Sequence, residues 1–154
     1  MISLRKRAFV LLAGALWLAA CGLCLAGVPN KELKLEVRLV AGTNEEKAPN
    51  PKQKPVDPDL IKKLRKVFNW KNYFEDNRQT VTIPVNGRKK ITLNSETELE
   101  VVNLGGDRIE VKLSLCGKVA TKSVNTLPEK EWLTLGGADK NNTAWFVVLR
   151  RGAE

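Results

Sequence analysis

Glu98-Leu99-Glu100-Val101-Val102, Gly105-Gly106-Asp107 and Ile109-Glu110-Val111-Lys112-Leu113-Ser114-Leu115 form the stretch that decides the fold. Charged and apolar residues alternate on both sides of a short glycine turn. Successive side chains of a strand point to opposite faces, so each run has one apolar and one wet side. A connection this short joins antiparallel neighbours. The same texture continues in both directions. Upstream, Thr80 to Val85 and Lys90-Ile91-Thr92-Leu93 flank Asn86-Gly87, the dipeptide favoured in tight turns, and the two runs read as a hairpin. Pro84 cannot donate to a ladder and marks its strand as an edge. Downstream, Cys116-Gly117-Lys118 turns into Val119 to Val124. Trp132-Leu133-Thr134-Leu135 follows, then a glycine turn, then Thr143 to Leu149. That last run is apolar on both faces, which suits a central strand beneath a helix. Cys116 reads as a small core residue.

A helix precedes the strands. Asp57-Pro58-Asp59 is a start signal: Asp57 can accept from a free backbone N–H, and proline at the first helical position loses no bond. Lys62, Lys63, Arg65 and Lys66 suit the negative end of the dipole. Leu60, Ile61, Leu64, Val67 and Phe68 recur at helical spacing, which predicts an amphipathic helix over about 58–68 resting on a sheet. Trp70, Tyr73 and Phe74 read as helix–sheet core. Residues 31–40 alternate as a half-buried strand, whereas 41–56 are polar and broken by Pro49, Pro51 and Pro55. The expected fold class is mainly β (α+β): one N-terminal amphipathic helix packed on an antiparallel β meander, sandwich or partly closed barrel. The compact domain is placed at 57–150. Residues 21–56 are read as a tether carrying one further strand at 31–40.

The N-terminus carries a different signal. Arg5-Lys6-Arg7 precedes an uncharged run from Ala8 to Val28, the order of a secretory signal. Leu18-Ala19-Ala20-Cys21 resembles the lipobox of bacterial lipoprotein signal peptides. The resemblance implies that residues 1–20 are removed and that Cys21 carries the lipid. The alternatives are cleavage after Ala26, giving a secreted protein, or an uncleaved span, since 21 uncharged residues can cross about 30 Å of hydrocarbon. From about Val56 to Leu149, the order Val-Asp-Pro, short helix, aromatic cluster and meander ending in Trp-Phe-Val-Val-Leu resembles uncharacterised small bacterial envelope proteins. That resemblance implies no activity and no site residues.

Charge and composition narrow the function. The formal net charge is +9; less the three cations of the signal it is +6. Arg88-Lys89-Lys90 is the nearest approach to a basic patch and the candidate contact for an anionic ligand. No nucleic-acid partner is expected. The chain has no histidine, which removes Cys/His zinc sites, Cys–His or Ser–His nucleophiles and histidine acid–base work. No catalytic residue, metal or cofactor is assigned. The remaining catalytic option is a carboxylate pair among Glu96, Glu98, Glu100, Asp107 and Glu110, which would need desolvation in a cleft. The reading is therefore an exported, lipid-anchored envelope protein, periplasmic or on the outer-membrane face. It acts as a non-enzymatic binding module for another envelope protein. A small hydrolase of envelope polysaccharide and a binder of anionic polymer or lipid surface are the alternatives.

Overall fold

The computed structural model describes residues 31–138 and 142–152. The N-terminal segment expected to be a signal, with Cys21 and Ala26, lies outside them. The elements run β1 (Leu33–Thr43), β2 (Lys54–Pro55), α1 (Pro58–Arg65), β3 (Asn72–Ile83), β4 (Arg88–Thr92), β5 (Thr97–Gly105), β6 (Arg108–Leu115), β7 (Lys118–Thr126), β8 (Trp132–Ala138) and β9 (Thr143–Arg151). All strand pairs are antiparallel. One sheet has the order β2-β3-β1-β9-β8 and the other β4-β5-β6-β7. The smaller sheet is a meander; the larger is not, because β1 and β9 meet in its middle. Among the described residues neither sheet closes into a barrel.

Period-two alternation explains the layering. Leu33, Leu35, Val37 and Leu39 of β1 enter one core with Val147 and Leu149 of β9 and with Leu99, Val101, Ile109, Val111 and Leu113 of the smaller sheet. Each such side chain contributes about 1.5–3 kcal/mol when buried. The other face of β1 and β9 gives Val40, Ala144, Phe146 and Val148 to a second core, which Leu60 and Leu64 of α1 cover with Val56 and Tyr73. The segment assigned to the tether thus supplies the middle strand of the larger sheet. Composition hid this, because the polar, proline-broken run after Thr43 separates β1 from everything it pairs with.

Three local expectations need correction. The runs around Asn86-Gly87 are not a hairpin: β3 and β4 belong to different sheets. The turn does form, with Asn86 at φ 60 and the Gly87 N–H donating to the Pro84 carbonyl at 2.8 Å. It carries the chain round a corner, pinned by buried Asn103, whose backbone pairs with Asn86 and Gly87 and whose side chain donates to the Ile83 carbonyl at 3.0 Å. Side chains replace the ladder: Asn77 and Gln79 donate to the carbonyls of Leu93 and Thr92 at 2.6 and 2.7 Å. Secondly, Cys116 is exposed, because Cys116 (φ 49) and Gly117 (φ 77) form the two-residue turn between β6 and β7. Thirdly, α1 ends at Arg65 and tightens so that Val67 and Phe68 both donate to the Leu64 carbonyl. Val67 is thereby turned out, 73% exposed, while Phe68 stays packed against the sheet.

Candidate anion-binding cleft

α1 covers only part of the outer face of the larger sheet. A cleft of about 600 Å³ lies beside it, lined by Arg38, Asp57, Asp59, Lys62, Lys63, Lys66, Lys130, Trp132 and Arg150. Four separate stretches of sequence meet there. The helix supplies Lys62 and Lys63 because Leu60 and Leu64 are turned to the sheet; Lys66 is its C-cap. Trp132 stands on β8 directly across from Arg150 on β9, so both project from the same face. Lys130 enters from the turn before β8, held by its backbone N–H on the Arg151 carbonyl at 3.1 Å and by a positive φ of 64°.

The floor of the cleft is an ion network. Arg38, with its side chain 5% exposed, donates to Glu36 at 2.7 Å and to Asp57, and lies 3.7 Å from Glu75. Arg78 completes the network, 2.8 Å from Glu75 and 3.8 Å from Asp57. Asp57 also caps α1, accepting from the Leu60 N–H at 3.1 Å. Burial alone would raise its pKa. The Arg38 hydrogen bond, the Leu60 N–H and the two guanidinium charges outweigh it and hold the carboxyl below the usual range. A buried guanidinium needs this many acceptors to offset its lost hydration. Arg38 therefore has no charge to spare for a ligand.

The other cations differ. Among the described residues, no carboxylate lies within 4.0 Å of the charged ends of Lys62, Lys63, Lys66, Lys130 or Arg150. The Trp132 ring brings two of them together beside Arg38. Arg150 lies 4.9 Å, Arg38 5.4 Å and Lys63 5.9 Å from its centroid. The ring's negative face attracts cations but does not neutralise them. A groove lined by Lys34, Glu36, Lys130 and Arg150 continues the same surface.

The expected basic patch lies elsewhere. Arg88, Lys89 and Lys90 are all on β4, an edge of the smaller sheet, and exposed. Arg88 stands 3.8 Å from Glu100 and Lys90 2.9 Å from Glu98. Glu100 also takes Lys112 at 3.1 Å, and Glu110 takes Lys122 at 3.5 Å. The Lys112 hydrogen bond holds the Glu100 carboxyl below its usual range, opposite to what a general acid needs. Asp107 is paired with Arg151 at 2.6 Å. Glu96 sits in the turn before β5 and shares a shallow depression with Glu98, itself paired to Lys90. Glu96 also lines a separate cleft of about 270 Å³ with Asp76 and Cys116, which none of the other four carboxylates joins.

The helical spacing of Lys62, Lys63 and Lys66 is visible in the sequence, but their meeting with Trp132 and Arg150 is a product of sheet order. Among the described residues no helix is long and apolar enough to cross a membrane. Comparison with protein-family models, curated proteins and solved structures finds no match for this chain.

Proposed function

We propose that the chain is an exported, lipid-anchored envelope protein that works as a non-enzymatic binding module. The cleft beside α1 is its contact surface. One observation carries the binding half: five cations with no carboxylate partner among the described residues line one cleft, two of them against a half-buried tryptophan. A folded domain gains nothing from gathering like charges, so an acidic group on a partner is the natural complement. The anchoring half is supported by the basic, apolar and small-residue order of 1–27 and by Cys21 after Leu18-Ala19-Ala20. The hydrolase alternative is less favoured, since Glu98, Glu100 and Glu110 are each engaged by a lysine.

Intact mass of the mature protein from its own membranes tests the anchor. A first residue of Cys21 with a diacylglycerol adduct that disappears in Cys21→Ala is the expected result. A mature chain starting at Gly27, or one retaining Met1, would reject it.

A further inference from the structure

We infer that the cleft between α1 and the β1-β9-β8 face binds a multiply charged, phosphate-bearing anion, with Lys63 and Arg150 as its principal contacts. The inference rests on the binding-module reading and names the ligand chemistry of that site. Six cations and two carboxylates line the cleft, and one of those cations, Arg38, is consumed by its own network. The helix dipole explains cations at the end of α1. It does not explain Lys130 and Arg150, which arrive from the other side of the cleft. Lys63 and Arg150 both lie within 6 Å of one ring centroid, so an anion placed between them would relieve their repulsion.

The donor set favours phosphate over a lone carboxylate. A phosphate monoester carries about −1.5 to −2 charges and three acceptor oxygens near neutral pH. A guanidinium offers it a planar fork and ammonium groups offer movable point charges. One carboxylate would leave most of these donors unused. The volume suits such a group, since small-ligand sites usually span about 300–1,000 Å³. The contiguous groove past Lys130 and Lys34 leaves room for a longer chain.

The test uses the mature full chain in a non-ionic detergent, titrated calorimetrically with sodium tripolyphosphate. Saturable binding that weakens as salt rises is expected. Lys63→Gln with Arg150→Gln should lower affinity at least about ten-fold, since each lost charge-assisted contact is worth that order. Lys62→Gln with Lys66→Gln, exposed on α1 and at its C-cap, should give a smaller loss and serves if the first pair fails to fold. Arg88→Gln with Lys90→Gln should leave affinity within about two-fold, because their glutamates already occupy them. Absence of binding, equal binding of citrate, or loss confined to the Arg88/Lys90 variant would each overturn the proposal. Doping the micelles with phosphatidic acid, whose headgroup is a phosphate monoester, separates the sources. Competition with tripolyphosphate assigns the site to lipid headgroups; no competition assigns it to a free or polymeric phosphate, and both support a phosphate site. An unlipidated chain that still binds would overturn the anchor and leave the cleft standing. A lipidated chain that does not bind would do the reverse.

Discussion

The outer faces of the two sheets carry charge in opposite ways. On the smaller sheet, Arg88, Lys90, Lys112 and Lys122 stand beside Glu98, Glu100 and Glu110, and positive and negative groups alternate across neighbouring strands. On the larger sheet, charges separate by depth. Arg38 is sunk among Glu36, Asp57 and Glu75, while Lys62, Lys63, Lys66, Lys130 and Arg150 stand above it without carboxylate partners among the described residues. The first face is a solvated surface with its own counter-ions. The second has a floor where Arg38 and Arg78 are tied up by three carboxylates and a rim whose cations have no such partners among the described residues, which leaves the rim open to an anion. A run of basic residues in sequence is therefore a poor guide to free positive charge. What matters is whether the neighbouring strand supplies a carboxylate.

The largest effect should come from the floor. Arg38→Met leaves three carboxylates with Arg78 alone, and breaking a buried pair costs several kcal/mol. A loss of about 3 kcal/mol in urea unfolding is expected, and a loss near zero would show that the network does not organise this face. Asp57→Ala should cost about 2 kcal/mol, combining the helix cap with the Arg38 contact. Its pH dependence has a definite sign. The folded pKa lies below the ordinary 3.8, so the carboxylate's contribution is complete above that value and fades as pH falls through the folded one. The gap between wild-type and Asp57→Ala unfolding midpoints should accordingly narrow in acid below pH 3.8, and a gap that widened there would reverse the assignment.

The smallest effect on stability belongs to the other face. Glu100→Gln should cost about 0.5 kcal/mol, as exposed ion pairs do. Its value is in binding: Glu98→Gln with Glu100→Gln frees Arg88, Lys90 and Lys112. The smaller sheet should then gain a weak, salt-sensitive affinity for tripolyphosphate. If it gains none, counter-ion pairing is not what distinguishes the two faces.

Much of the fold was legible because strand and helix periods are written locally. The alternation in 98–102 and 109–115 defines β5 and β6, and Asp57-Pro58 marks the start of α1 with the cap in place. The Asn86-Gly87 corner was not legible, since the same dipeptide serves a hairpin or a change of sheet. Asn103, later in the chain, pins it as a corner, and Asn77 and Gln79 bridge the two sheets beside it. The exposure of Cys116 is hidden in the sequence because an apolar pattern gives no sign of where positive φ begins. The cleft was half legible: the lysine spacing on α1 could be read, and their distance from Trp132 could not.

The sequence by itself determined the alternation that makes strands and the capped amphipathic helix, since each depends on residues close together in the chain. Tertiary structure alone decided that β1 is central, that Arg88 and Lys90 are paired with glutamates, and that Lys63 and Arg150 meet at Trp132. The physical reason is range. Backbone and periodicity preferences act over a few residues, whereas Coulomb pairing and burial depend on which distant strands lie side by side.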